Sequence, residues 1–462
     1  MTEPALIGRQ RETAWLAEAA AEALAGRGSL ILLAGEAGVG KTHLAEAALQ
    51  GAPLMRGAAQ PPGAAAYGPV VAALRWRLRS DPDALNGSGP LRAHLAMLLP
   101  ELGPPAEISD RATMFEAIRC ALFSLAPAFV LLDDLQWSDD ATLELLAALA
   151  APLREAPILL VAAYRSDEAG RGHPIRRLRA DLRRARLLRE LVVAPLDQAA
   201  STELAASVLE RPLSPALAAT LYDRTQGIPF FVLELAAALE AGDRLREGPG
   251  GLELAHDADV PVPETIRDAV LLRTAGLSPE GRAAAEAAAV AGAEFSLDLA
   301  PGMGELLATG LLVETEPGRA AFRHALLRGA IYEDIQWLRR RELHGALAER
   351  LTAAGAPNAE IAAHWLAGGD HERALAAYLA AADELAAVHA HRDAAHAALQ
   401  ALDLWPEGTR GAQRLAALNT YARSAELAGD LAEAARALRE AAAVHRGGGG
   451  AAAPNGARGA SA

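Results

Sequence analysis

The chain is short of cysteine, of aromatic residues, of basic charge and of long apolar runs, and each shortage excludes something. A single cysteine, Cys120, rules out an internal disulfide. Aromatic residues are only 4% of a chain that is 52% hydrophobic, so much of the apolar content is alanine, which buries little area per residue. The longest apolar stretches, around residues 30–34 and 126–132, fall far below the ~20 residues that a membrane-spanning helix needs, so no membrane partner is expected. With 44 Lys and Arg against 58 Asp and Glu, the net charge of −14 disfavours adhesion of the whole chain to nucleic acid or anionic lipid. The opening residues Met1-Thr2-Glu3-Pro4 lack the charged n-region and apolar core of a secretory signal. Together with the lone cysteine, this makes the cytoplasm the expected location.

What is present is length and helix-forming composition. At roughly 100–200 residues per domain, 462 residues allow two to four domains. Ala, Leu, Arg and Glu lose little rotamer freedom in helices, so a mostly helical protein around any sheet is expected. Three short apolar runs, at residues 29–34, 128–132 and 157–164, end in polar residues. They read as buried parallel strands sharing one polar edge, with helices at 67–79 and 111–125 between them. Residues 1–190 therefore read as an α/β unit whose ligand sits beyond the carboxyl ends of the strands.

Further along, helical patterns dominate at 201–209, 215–225, 230–241 and 263–272, and the turn-rich stretch 242–261 reads as a linker. A block over 261–352 carries an expected hairpin, 310–314 with 319–323, around Glu316-Pro317-Gly318. After Pro357 the pattern is almost continuous helix. Gly369-Asp370 and Gly429-Asp430 each precede an Ala-rich segment, the outline of a helical-hairpin array over 353–446. The Gly- and Ala-rich residues 447–462 are expected to be disordered.

Gly35-Glu36-Ala37-Gly38-Val39-Gly40-Lys41-Thr42 fits G-x-x-x-x-G-K-[ST] and lies between an expected strand and an expected helix, as that motif requires. Glycines let backbone amides curl around phosphates, and the helix N-terminus adds positive potential. Lys41 is then placed to reach the β- and γ-phosphates of ATP, and Thr42 to ligate Mg²⁺. Phe129-Val130-Leu131-Leu132-Asp133-Asp134 is an apolar strand ending in two carboxylates. Downstream of a phosphate loop, Asp133 is expected to hold Mg²⁺ and Asp134 to orient or deprotonate the attacking water, whereas alone the pair would read as a solvated turn. Arg165 ends the third strand either as a sensor of the γ-phosphate or as a surface cap, and its order in the chain favours the sensor. Lys41, Asp134 and Arg165 make up the expected catalytic set. The arginines at 171, 176, 177, 179, 183, 184, 186 and 189 are interleaved with leucines at helical spacing and lack aromatic residues among them, which favours a solvated amphipathic helix over a nucleic-acid surface.

Leu6-Ile7-Gly8-Arg9-Gln10-Arg11-Glu12, the phosphate loop, residues 131–139 and Ala163-Tyr164-Arg165-Ser166-Asp167 together resemble the ATPase domain of STAND-type signal-transduction NTPases. Within that group the likeness is to the large ATP-binding regulators of the LuxR family and related bacterial AAA-type ATPases, and it extends over nearly residues 1–445. Gln226-Gly227-Ile228-Pro229 resembles the family's G-x-P motif, which implies that Pro229 packs near adenine. Phe322-Arg323-His324-Ala325-Leu326-Leu327-Arg328 resembles its winged-helix segment, which implies that His324 meets the β-phosphate of ADP. Pro229 could instead simply end a loop, and His324 could be an ordinary structural histidine. Arg9 could contact the adenine side or cap the first helix.

The fold expected from this resemblance is an α/β P-loop NTPase domain over 1–190, a helical subdomain over 191–260, a winged-helix-like domain over 261–352 and a tetratricopeptide-like array over 353–446. Two departures stand out. Pro301-Gly302-Met303-Gly304 interrupts the first helices of the winged-helix block, and no C-terminal helix-turn-helix follows the array, so no direct DNA-binding domain is expected in this chain. The expected function is an ATP/ADP switch with slow hydrolysis, self-association in the ATP state and an inducer or protein partner at the array. A motor that remodels a partner, and a nucleotide-stabilised scaffold, are the alternatives.

Overall fold

In the computed structural model, the three apolar runs become the middle of a five-stranded parallel sheet. The structure describes residues 6–59, 65–170, 172–242, 244–255, 274, 276–292, 294–323, 325–406 and 411–448. Strands β1 (Ser29–Gly35), β2 (Leu54–Ala58), β3 (Ala128–Asp133), β4 (Ile158–Arg165) and β5 (Arg189–Val193) stand in the order β2-β3-β4-β1-β5. Every residue of β1 and β4 is buried, because helices cover both faces of the sheet. Alternate residues point to opposite faces. Ile31, Leu33, Phe129, Leu131, Leu159 and Val161 pack under helices α1 (Gln10–Leu24) and α2 (Lys41–Ala48). Leu30, Leu32, Val130, Leu132, Leu160 and Ala162 face the other side, under α3 (Gly68–Ser80) and the helix Arg111–Ser124. Leu32 is fully buried, so Leu32→Ala is expected to cost about 2–5 kcal/mol.

The two outer strands depart from the three-strand expectation. β2 carries Arg56 and Gly57, and β5 opens with Arg189-Glu190; both are edge strands with only part of their surface covered, so neither shows an unbroken apolar run. Gly57 is required by packing, since a Cβ there would lie 1.9 Å from the Pro69 carbonyl of α3. β5 also runs to Val193, beyond residue 190.

After the sheet, helices Gln198–Leu209, Pro215–Thr225 and Pro229–Ala241 enclose a core of Leu204, Leu221, Val232 and Leu235. The stretch expected to be a linker is in part a β-hairpin: β6 (Leu245–Gly248) pairs antiparallel with β7 (Gly251–Leu254). Its polar composition hid it, and fully buried Leu252 anchors it to the same core. The expected helix at 263–272 lies outside the described residues.

Helices Pro279–Ala291, Met303–Ala308 and Ala325–Asp334 then pack on a three-stranded antiparallel sheet of order β8-β10-β9, formed by Glu294–Ser296, Arg319–Phe322 and Leu312–Glu316 respectively. The expected hairpin is present as β9 and β10, and β8 adds a third strand that the sequence reading did not include. At the interrupting Pro301-Gly302, Gly302 takes a φ of +87° and starts the short helix Met303–Ala308.

Six helices follow, Trp337–Ala354, Asn358–Gly368, His371–Ala387, His391–Asp403, Ala412–Leu427 and Leu431–Gly448, each packed on its predecessor. Alanines at the contacts, among them Ala362, Ala374, Ala381, Ala394 and Ala398, allow close approach. Both Gly-Asp pairs act as breaks. Gly369 and Gly429 adopt φ +78° and +84°, and Asp370 then caps the next helix by accepting from the Arg373 amide at 3.0 Å. Among the described residues no helix is long and apolar enough to cross a membrane.

Candidate functional site

The parallel register brings the motif residues together. Gly35 of β1 lies beside Arg165 of β4 on one side and Val193 of β5 on the other. β3, the next strand beyond β4, ends at Asp133. Three strand ends thus meet at one edge, and α2 starts there with Lys41 as its first residue.

Gly38 and Gly40 adopt φ +76° and +94°, in the left-handed region that L side chains rarely occupy, so the loop curls before α2. Lys41 is buried, and its Nζ donates to the carbonyls of Gly35 at 3.0 Å and Glu36 at 2.9 Å. Burial pushes the Lys41 pKa down, opposed by the carboxylates of Asp133 and Asp134. Thr42 Oγ1 donates to Asp133, and the Asp134 amide donates to the other Asp133 oxygen at 2.8 Å. Burial, with the neighbouring Asp134 charge, pushes Asp133 up to about 6, while the Thr42 hydrogen bond opposes the rise. A hydroxyl and a carboxylate side by side are the hard oxygen donors that Mg²⁺ prefers, and they fit that ion. Among the described residues no cluster of three or more His, Cys, Asp or Glu could hold another metal.

Asp134 has φ +53° and turns its carboxylate toward β4. Its Oδ1 accepts from Arg165 Nε at 3.1 Å and from Gln136 Nε2 at 2.8 Å. Arg165 also pairs with Glu168 at 2.6 Å and stacks over Trp137, 4.5 Å from the ring centroid. Burial alone would lower the Arg165 pKa, but the Asp134 and Glu168 charges together raise it. In this arrangement Arg165 and Asp134 therefore occupy each other. Gln136, buried between them and donated to by the Arg165 amide at 3.0 Å, was not among the expected site residues.

Arg9 is buried and its guanidinium donates to the Val39 carbonyl at 3.1 Å, so it braces the loop from the N-terminal side of α1. Its side chain makes no cap of that helix. Pro229 lines the same cavity as Arg9, Lys41, Thr42 and Arg165. Its neighbour Phe230 donates its amide to the Gly38 carbonyl at 3.2 Å. Gly227 holds this approach in place: at φ +74°, a Cβ there would sit 1.9 Å from the Leu196 carbonyl. His324 lies outside the described residues. Close to it in sequence, Leu326 reaches the phosphate loop, since a Cβ on Gly38 would be 2.8 Å from Leu326 Cδ1 and 3.0 Å from Phe230 Cβ. The tips of two other parts of the chain thus close on one glycine.

The helical array meets the sheet domain behind this site. Asp139 caps the helix Asp140–Leu149 by accepting from the Thr142 amide at 2.7 Å. Asp393, from the array, accepts from the Asp140 and Ala141 amides of the same helix at 2.9 and 3.0 Å. Burial, together with the Asp139 charge, pushes the Asp393 pKa well above the usual carboxylate range. Arg392 adds a 2.7 Å contact to Glu144. No local sequence rule pairs residues 252 positions apart, so this contact was not legible beforehand.

A parallel sheet with a phosphate loop after β1 and paired acids after β3 defines a P-loop ATPase domain, the class that handles ATP or ADP with Mg²⁺. Comparison with known families agrees: residues 5–161 match the family described as an AAA ATPase domain. An uncharacterized protein of Rhizobium meliloti (strain 1021) is 27% identical over 466 residues, which is 86% of this chain and 42% of that protein. The chain thus spans less than half the length of that curated relative. Among solved structures, a Signal Transduction ATPase with Numerous Domains (STAND) protein with a tetratricopeptide repeat sensor from Pyrococcus horikoshii is similar at 15% identity and a TM-score of 0.49, covering 97% of this chain and 66% of that one. A Walker-type ATPase of Pyrococcus abyssi is similar at 15% identity and a TM-score of 0.38, covering 72% of this chain and 99% of that one.

Proposed function

We propose that the chain is a nucleotide-dependent switch of the STAND type, in which ADP holds the parts closed around the phosphate loop and ATP releases them toward a self-associating form. The observation that carries this reading is Gly38. The Pro229–Ala241 helix and the Ala325–Asp334 helix both press on that one loop residue, so whatever occupies the loop must bias both contacts. The division proposed is an ATPase domain (1–190), a helical subdomain (191–260), a winged-helix-like domain (261–352) and a tetratricopeptide-like array (353–446) that receives an inducer or protein partner. Relation to LuxR-type regulators and a cytoplasmic setting belong to the same proposal.

The proposed roles follow from chemistry. Residues 35–42 cradle the phosphates, Lys41 neutralises them, and Thr42 with Asp133 holds Mg²⁺. Asp134 orients the attacking water once Arg165 has left it for the γ-phosphate. Arg9 and Pro229 border the base, and His324 senses the β-phosphate of ADP. Because Asp134 and Arg165 must first part, slow hydrolysis is the expected behaviour. To invert a 1:99 population the two nucleotides must differ by about 5.5 kcal/mol in their preference for the two forms. Calorimetry with ADP and with ATP, coupled to limited trypsin digestion of the same samples, tests this. ADP should bind tightly and protect the closed form, and ATP should expose new cleavage sites. Identical digestion patterns with both nucleotides would contradict the switch.

A further inference from the structure

Gln136 is buried in the single helical turn Leu135–Trp137 that follows Asp134, and its side chain spans two strand ends. Its Oε1 accepts from the Arg165 amide of β4 at 3.0 Å, and its Nε2 donates to Asp134 Oδ1, just past β3, at 2.8 Å. A backbone amide only donates and an ionised carboxylate only accepts, so the group between them must offer one acceptor and one donor. That requirement orients the carboxamide, and neither Glu nor Met could serve both ends. The main chain of Gln136 is held as well. The Ile175 amide donates to His173 Nδ1 at 3.2 Å, which leaves Nε2 as the protonated nitrogen, and Nε2 donates to the Gln136 carbonyl at 2.8 Å. Both side-chain donors to Asp134, Arg165 Nε at 3.1 Å and Gln136 Nε2, meet Oδ1, and among the described residues none donates to Oδ2. Asp134 and Arg165 border the cavity together with Lys41 and Thr42, whereas Gln136 stands behind them, out of reach of a nucleotide.

We propose that Gln136 is a positioning residue for ATP hydrolysis: it holds Asp134 by Oδ1, so that Oδ2 is left to orient the attacking water once the Arg165 side chain has turned to the γ-phosphate. The inference rests on the ATP reading given above and deepens it. The far end of this strut is the Arg165 main chain, in register with Gly35 of β1, and not the guanidinium. Departure of the guanidinium therefore removes one of the two donors to Oδ1 and leaves the other anchored. Without Gln136, Asp134 would lose its last side-chain donor at the moment it is needed. The loss matters because a misplacement of about 1 Å can slow a chemical step about 10²-fold. Gln136 takes no proton and touches no phosphate, so its effect falls on the rate of the chemical step and not on nucleotide affinity.

The test uses the full chain, with magnesium-ATP hydrolysed under single-turnover conditions and with affinities for magnesium-ADP and a hydrolysis-resistant magnesium-ATP analogue read by calorimetry. Gln136→Met, similar in length but with neither the donor nor the acceptor, is expected to slow hydrolysis at least tenfold while both affinities change less than threefold. Gln136→Glu keeps the acceptor for the Arg165 amide and lacks the donor to Asp134, so it should slow hydrolysis at least tenfold as well. Thermal melting of each variant reports whether the fold has been disturbed. In an Asp134→Asn background, Gln136→Met should cause less than a further twofold loss, because it acts through Asp134, whereas a merely structural residue would slow both backgrounds alike. Unchanged hydrolysis in the two Gln136 variants, equal losses in the two backgrounds, or affinity losses as large as the rate loss would overturn the proposal. If the unaltered chain binds neither nucleotide, or Asp134→Asn hydrolyses ATP at the unaltered rate, the ATP reading itself fails; if Asp134→Asn slows hydrolysis and Gln136→Met does not, only this inference fails.

Discussion

Gly38→Ala perturbs the contact on which the functional account depends. An alanine at φ +76° takes on a left-handed strain of about 1–2 kcal/mol. Its methyl would then meet Leu326 Cδ1 at 2.8 Å, Phe230 Cβ at 3.0 Å and Ile228 Cγ2 at 3.3 Å. Overpacking of that kind costs about 1–3 kcal/mol, and here it falls only on the closed arrangement, because Leu326 and Phe230 come from other parts of the chain. The second cost can be isolated. Gly26 has φ +84° and nothing within 4 Å of a Cβ, so Gly26→Ala carries the strain without the collision. The difference between the two variants should shift the closed population by about one to two decades. Amide hydrogen exchange over residues 325–334 is the assay. Exchange there should accelerate in Gly38→Ala, stay near the unaltered rate in Gly26→Ala, and recover in part in Gly38→Ala with Leu326→Ala. Equal exchange in all four proteins would refute the reasoning that the loop and this helix are mechanically joined.

Other perturbations give separate readouts. Lys41→Ala removes a charge-assisted phosphate contact and should weaken both ATP and ADP by tenfold or more in calorimetry, since about 1.4 kcal/mol corresponds to each decade. Asp134→Asn keeps the shape but not the charge, so ATP should still bind while single-turnover hydrolysis falls by about 10²–10⁴. The buried pair His344 and His364, Nδ1 to Nδ1 2.8 Å apart, is pushed down to about 4 by burial, helped by the charges of Arg340 and Arg328 on His344. The unfolded chain therefore binds more protons than the folded one between about pH 6.5 and 4, so the unfolding free energy should fall as pH drops through that window, by up to about 1.4 kcal/mol per pH unit for each histidine, and the melting temperature with it. A His344→Gln, His364→Gln double variant should flatten that dependence. Asp393→Ala leaves the Asp140 and Ala141 amides without their acceptor, a loss of about 0.5–2 kcal/mol, and trypsin should then cut more readily between the array and the sheet domain.

The parts of the molecule that the sequence reveals are those whose cause is local. Strands β1, β3 and β4 are covered on both faces, so apolar residues run unbroken along them and stop where the sheet ends. The edge strands β2 and β5 and the hairpin β6–β7 each owe their place to a neighbour, and Leu252 alone gives the hairpin its anchor. The same division holds at the site. Gly35 to Thr42 follow from a motif and its strand-to-helix setting, and Asp133, Asp134 and Arg165 from their position at strand ends. Gln136 was invisible, because only the fold brings its amide between residues 134 and 165. Leu326 against Gly38, and Asp393 on the Asp140–Leu149 helix, join residues more than 250 positions apart, and hydrophobic periodicity carries no record of such pairs. Arg165 shows the limit most clearly. Its place at the end of β4 is readable from sequence, whereas its pairing with Asp134 emerges only in three dimensions.

A distance measured between the sheet domain and the block that carries Leu326 tests the central claim most directly. Spin labels on cysteines replacing the exposed Arg184 and Leu338, in a Cys120→Ser background, report that separation by pulsed electron paramagnetic resonance. With magnesium-ADP the account predicts one narrow distribution, and with a hydrolysis-resistant magnesium-ATP analogue a second population at a different distance. Superimposable distributions with both nucleotides, in a protein shown by calorimetry to bind both, would contradict it.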